Sequence, residues 1–193
     1  MRPITFEPDA VLRAATYLFW EKGYAGTSLD DIMEVAHIQK QSLYNFFGDK
    51  KSLFLKVLHF YFEDTMVVVR EILSEKKAAP DLLQQMFQYF LNRSDIGPYP
   101  DGCLIVNTMS EFGKSDPSIT TIIDGMEKEF EKILKKTVVL GQKEGTITYK
   151  IKATDITAYL KCILCGILLL ERQGNRGQEI CSIPHQAVRS VCR

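Results

Sequence analysis

Apolar residues recur at i, i+3, i+4 along almost the whole chain, the spacing of helices that bury one face. Val11, Leu12, Ala15, Leu18 and Phe19 predict a first helix from about Pro8 to Lys22, with Gly23 as its stop. The stretch TSLDDIMEVAHIQKQSLYNFFGDKKSLFLKV, residues 27–57, predicts two short helices and the start of a third. Ser28 followed by Asp31 is a capping-box variant, with Asp30 and Asp31 suited to the positive end of a helix whose buried side is Ile32, Met33 and Val35. Ala36-His37-Ile38 forms the turn, and Gln39 opens the next helix. Asp49 is the N-cap of a long helix carrying Leu53, Phe54, Val57, Leu58, Tyr61, Phe62, Thr65 and Ile72 on one stripe to about Glu75. Further helices are predicted over 81–93, 102–112, from Asp116-Pro117 to near Glu144, over 155–173 with burial on more than one face, and from Pro184. SDIGPYPDG is the densest turn segment and GNRG a second break. Thr146 to Ile151 alternates like a strand, but without a partner strand it reads as a loop. The expected fold is all-α. A three-helix N-terminal unit (1–48) joins, through the helix capped by Asp49, a larger helical bundle (49–193).

Helices of seven or eight residues are marginal alone, because nucleation costs more than so few hydrogen bonds return. The two short helices must hold each other, and the exposed side of one must serve some purpose. Placing residues 39–47 at ~100° per residue puts Lys40, Gln41, Tyr44 and Asn45 on one arc and Leu43, Phe46 and Phe47 on another. This is a helix-turn-helix pattern: the second helix fits a major groove, where Lys, Gln and Asn reach base edges and Tyr and Lys reach phosphates. On the pattern alone, an ordinary helical hairpin with a polar outer face fits equally well.

Composition adds little. With 193 residues, 46% hydrophobic, 25% charged and a formal net charge of zero, the chain fits one large domain or two small ones and announces no nucleic-acid partner. Residues 39–56 hold Lys40, Lys50, Lys51 and Lys56 against the single acid Asp49, a weak local excess. MRPITFEPDAV has neither the basic start nor the apolar core of a secretory signal. The longest apolar run, Ile163 to Leu170, falls short of the ~20 residues that span a bilayer. A cytoplasmic protein without a membrane partner is expected. The five cysteines are an odd set and read as free thiols. The three histidines stand at no metal-ligand spacing, so neither metal nor cofactor is expected. With no G-x-S-x-G, P-loop or dinucleotide turn, no enzyme is expected either.

The segments LFWEKGYAGTSLDDI and QSLYNFFGDKKSLF carry Phe19, Gly23, Tyr24, Thr27, Ile32, Ala36, Leu43, Tyr44, Phe47, Lys50 and Phe54. At that spacing, Phe6 to Leu58 resembles the DNA-binding domain of the tetracycline-repressor (TetR) family of bacterial transcription regulators. GCLIVNTMSEFG, the turn at Glu144 to Ile147 and AYLKCILCGILLL resemble the family's ligand-binding and dimerisation half more loosely. The resemblance implies phosphate contacts from Thr27, Tyr44 and Lys50, base or groove contacts from Gln39, Lys40, Gln41 and Asn45, and a place for Ser28 in the same DNA-binding set. Two positions depart from the family. His37 stands where it usually has glycine, and Gln39 where Ser or Thr often caps the recognition helix.

Members of this family are dimers, and Tyr159, Cys162, Ile163, Gly166 and Leu170 supply an i, i+3, i+4 face for a partner helix, with Gly166 allowing close approach. Two recognition helices must lie ~34 Å apart to enter successive major grooves. A small effector of unknown class that changes this separation would change operator affinity. Met66, Phe87, Tyr89, Met109, Phe112 and Met126 are the apolar candidates for its pocket, Met66 and Phe87 foremost. Cys103, at a helix start with Asn107 one turn on, is a candidate sensor thiol, although a small buried hydrophobe is the plainer reading. Cys162 and Cys165 lie mid-helix, where i, i+3 Cβ atoms are ~5–6 Å apart against the ~3.8 Å of a disulfide; they read as core. The expected function is a homodimeric one-component repressor that binds a near-palindromic double-stranded operator and is released by an effector or by thiol modification. The alternative is a helical dimer that binds a small molecule or oxidant but no operator.

Overall fold

The computed structural model describes residues 6–93, 99–174 and 177–193. The described residues form the helices α1 (Pro8–Gly26), α2 (Leu29–Val35), α3 (Lys40–Phe47), α4 (Lys50–Ser74), α5 (Ala79–Leu91), α6 (Leu104–Phe112), α7 (Pro117–Glu144), α8 (Ala153–Arg172) and α9 (Gln178–Val191). Five of the nine turn residues SDIGPYPDG, 94–98, lie outside the described residues, as do the central two of GNRG.

Local chemistry sets most of these boundaries. Pro8 starts α1, where its missing N–H costs nothing. Gly23, at φ 75 and ψ 174, breaks α1's helical path, and a last turn continues to Gly26 in a new direction. Ser28 and Asp31 complete a reciprocal capping box on α2. The Asp49 carboxylate accepts from Ser52 N at 2.7 Å to cap α4, and Asp116 caps α7. The α9 helix differs from expectation: it begins at Gln178 and contains Pro184. Proline costs one interior hydrogen bond there, but Ile180, Ala187, Val188 and Val191 are buried and hold α9 against the bundle.

The α1–α3 unit packs on the first half of α4. The rest of α4, with α5 to α9, forms the larger bundle, and one continuous core runs through both. Residues 146–151 stay a loop, but the end of the chain pins them: Thr148 N donates to Val191 O at 2.9 Å and Arg193 N to Thr146 O at 3.2 Å. Gly141 makes this possible, since a Cβ there would stand 2.7 Å from both Ala79 Cβ and Ile147 Cδ1. Two side chains assigned inward by periodicity point out: Val35 is 53% exposed and Phe46 40%. The helices carrying them are too short to bury more than a narrow stripe. The α8 helix buries one face within this chain, through Ile156, Leu160, Leu164, Ile167 and Leu168.

Candidate nucleic-acid interface and regulatory cavities

Leu43 and Phe47 lock the back of α3 into the core, leaving Lys40, Gln41, Tyr44 and Asn45 together on its exposed face. Gln39 is the N-cap of α3 and its side chain makes no capping hydrogen bond. The turn before it closes as a Schellman motif, with His37 N on Glu34 O at 3.3 Å and Ile38 N on Met33 O at 3.1 Å. His37 holds the left-handed position, φ 50, that this motif requires. Buried Ile38 fixes the angle between the two helices.

The four lysines divide by task. Lys51 pairs with Asp116 at 2.7 Å. Lys56 donates to Phe46 O at the end of α3 and covers the Phe46 and Phe47 rings. Lys50 lies 4.4 Å from the Tyr24 ring centroid, and Lys40 sits beside Tyr44 on the recognition face. Lys40 and Lys50 are thus the two without a carboxylate or carbonyl partner among the described residues. Thr27 is a correction to the expected contact set. It is 1% exposed and its hydroxyl points to Leu18 O and Gly23 O, closing the end of α1. Its part is positioning. Ser28 is exposed, with its oxygen engaged in the capping box.

In the larger bundle, Cys103 is the N-cap of α6 and lines a small apolar cavity of about 50 Å³ with Met66, Met126, Phe130 and Cys165. That space holds a water or two, so a larger molecule must widen it. The Cys103 Sγ accepts from the Tyr61 hydroxyl at 3.2 Å, and Tyr61 accepts from Arg93 Nη1 at 2.8 Å. Burial, foremost, pushes the Tyr61 phenol well up. Burial raises the Cys165 thiol to about 12, which leaves it an inert thiol. Cys162, read as core with Cys165 but also placed on the expected dimer face, is exposed in this chain.

Two sensor-site candidates lie elsewhere. Phe87 is fully buried and does not line the Cys103 cavity; Phe90, one turn along α5, faces it instead. Asn107 turns away from Cys103 into a recess with Gly23 and Arg172, where its amide nitrogen has no partner among the described residues. Met109 and Phe112 line a wider groove of about 540 Å³ that also holds Lys161, itself 3.0 Å from Glu127.

Several contacts tie the N-terminal helices and the start of α4 to this half, among them Trp20 Nε1 donating to Asp101 O at 3.2 Å. The Glu111 carboxylate, from α6, accepts from Tyr24 N at 2.8 Å and Ala25 N at 2.7 Å, the donors freed where Gly23 breaks α1. Lys51 meets Asp116, and Arg172 of α8 reaches the side chain and carbonyl of Glu21. Sequence reasoning missed these contacts, since no local pattern marks a side chain aimed at a distant helix.

The outer face of α8 shows Tyr159, Cys162, Gly166, Leu169 and Leu170 exposed and Ile163 half-buried. Leu169 was not expected. By length and composition α8 would also pass for a membrane span. It packs instead on α7 and α9, and Lys161 makes two ion pairs from its middle.

Residues 11–57 match the family of bacterial regulatory proteins, tetR family, and residues 79–178 match the tetracyclin repressor-like C-terminal domain. The chain is 27% identical over 190 residues to the HTH-type transcriptional repressor ComR of Escherichia coli, covering 97% of this chain and 90% of ComR. It is 28% identical over 138 residues to the repressor DhaR of a Mycobacterium species, covering 71% and 68%. The TetR-family regulator CifR, as a cysteine mutant in complex with a 26bp operator DNA, has the same fold, with a TM-score of 0.87 at 22% identity over 98% of this chain and 99% of that one. Reduced E. coli NemR gives 0.84 at 17% identity over 96% of each. With the recognition helix, its turn and the helical second half all matched, the chain belongs to the tetR family of bacterial regulatory proteins.

Proposed function

We propose that this DNA-binding transcriptional regulator is a homodimeric repressor that sets two α3 helices into successive major grooves of a near-palindromic operator. One observation carries the reading: Lys40, Gln41, Tyr44 and Asn45 stand together on the exposed face of a helix whose back is locked by Leu43 and Phe47. In this reading residues 1–48 are the DNA-binding unit and 49–193 the regulatory and dimerisation unit. Lys40, Gln41 and Asn45 reach bases, with Gln39 at the groove edge. Tyr44, Lys50 and the Ser28 end of α2 face phosphates, α2 contributing its positive end. The exposed α8 face, with Tyr159, Cys162, Ile163, Gly166 and Leu170, meets its counterpart in the second copy.

Release is assigned to the apolar cavity around Cys103. An apolar effector, or a group added to the thiol, has too little room in about 50 Å³ and must push α6 from α4. Because Glu111 of α6 grips the end of α1, that push reaches the DNA-binding unit and shifts the dimer toward a separation the operator does not fit.

The test is binding to a labelled fragment of the DNA upstream of the protein's own gene, at two salt concentrations. Affinity should fall steeply with salt, and Tyr44→Ala should weaken it about tenfold, ~1.4 kcal/mol. Binding no tighter than to random DNA, by an intact dimer, favours the alternative of a helical dimer without an operator. Treating the complex with a maleimide tests release through the thiol. A Cys103→Ser variant released as readily as wild type discards that route.

A further inference from the structure

Arg93, just after α5, is a cation only 3% exposed. Its guanidinium bonds to neutral groups, Nη1 donating to the Tyr61 hydroxyl at 2.8 Å and to Thr65 Oγ1 at 3.1 Å. Among the described residues no carboxylate forms a salt bridge with it. Four rings surround it instead: the guanidinium carbon lies 5.0 Å from the Trp20 ring centroid, 4.9 Å from Tyr61, 5.4 Å from Tyr89 and 5.3 Å from Tyr99. Cation–π attraction offsets part of the cost of burying the charge. A buried charge without a counter-ion is nonetheless unusual.

The fork borders a cavity of about 340 Å³ between α1 and α4, lined also by Arg13, Tyr17, Trp20, Asp64 and Tyr99. This is within the ~300–1,000 Å³ of small-molecule sites. It opens on the opposite side of Tyr61 from the cavity that holds Cys103, and no sequence pattern pointed to it. The walls are flat and aromatic, and the polar end is a planar donor fork that matches a carboxylate with two parallel hydrogen bonds. Arg13 at the rim attracts an anion, while Asp64 at the rim disfavours one carrying two charges.

We propose that this junction cavity binds a small planar monocarboxylate, its carboxylate on the Arg93 fork and its apolar body against the Tyr17, Trp20 and Tyr99 side chains that line the cavity. The site joins α1, which carries the DNA-binding unit, to α4 and the segment after α5. Binding itself is independent of the regulator reading, so the test uses no DNA.

Trp20 is the chain's one tryptophan, so its fluorescence reports occupancy directly. The full-length protein is titrated with benzoate, with the neutral isostere benzamide and with inorganic phosphate. A saturable change with benzoate, at least tenfold weaker with benzamide and absent with phosphate, is expected. Arg93→Lys keeps the charge and loses the fork, and should weaken benzoate at least tenfold. Should that variant fail to fold, Tyr99→Ala removes one wall while leaving the Arg93 side chain and three of its four rings in place, and should weaken benzoate several-fold. No saturable response in the wild type, equal binding of benzoate and benzamide, or unchanged binding in a folded Arg93→Lys or Tyr99→Ala variant overturns the proposal.

Discussion

His37 shows how one residue can be tolerated and still cost stability. The Schellman turn needs a left-handed residue there, and His37 adopts φ 50 to provide it. An L side chain loses ~1–2 kcal/mol in that region, part of which glycine returns as unfolded-state entropy. His37→Gly should therefore stabilise the protein by about 1 kcal/mol in chemical denaturation. An unchanged or lower stability would mean that the His37 side chain contributes more than its backbone loses. Thr27 is the converse case. Its place beside the helix-turn-helix suggested a phosphate contact, yet the side chain is buried, with its hydroxyl turned into α1. A residue type alone does not say whether its oxygen faces solvent or a neighbouring carbonyl.

Between elements, the contact with the sharpest consequence is Glu111 of α6 on the end of α1. Two backbone donors of a broken helix meet one carboxylate, and that carboxylate moves with α6. Glu111→Ala should cost about 1 kcal/mol of stability. It should weaken operator binding about fivefold by loosening the DNA-binding unit. It should also blunt the difference in operator affinity between maleimide-treated and untreated protein. Operator binding equal to wild type in both states would show that the link runs elsewhere, through Lys51–Asp116 or Arg172–Glu21. For α8 the expectation concerns assembly. Its exposed apolar face needs a cover, and Leu170→Arg places a charge in it. Sedimentation should show a dimer in the wild type and a monomer in the variant, with operator affinity lost alongside. A variant that stays dimeric would move the interface off this face.

At the scale of the whole molecule, three carboxylates at helix starts, one in a capping box and two at N-caps, share one pH response. Asp31, Asp49 and Asp116 are all held below the usual carboxylate value of 3.8: Asp31 chiefly by its bond from Ser28, Asp49 by its bond from Ser52, Asp116 by Lys51. A carboxyl depressed by folding adds stability above its unfolded pKa and loses it as pH falls through the folded one. Urea midpoints should therefore be flat from pH 7 to 5 and drop steeply below about pH 4. The Asp49→Asn variant should show a shallower drop, and an identical one would remove Asp49 from the account. The sequence by itself determined the helices, most of their ends and the exposed arc of α3, because helical period, N-caps and turn glycines act between residues a few positions apart. It also determined the family, through side chains at fixed spacing across the DNA-binding unit. Only the tertiary structure decided that the Thr27 hydroxyl turns into α1, that Phe87 lies away from the Cys103 cavity and that Asn107 turns into a different recess. It alone placed Glu111 on Tyr24, 87 residues away, and ringed Arg93 with side chains from α1, α4, α5 and the segment before α6. Such contacts depend on where whole helices come to rest, and helix positions follow from packing the entire core at once.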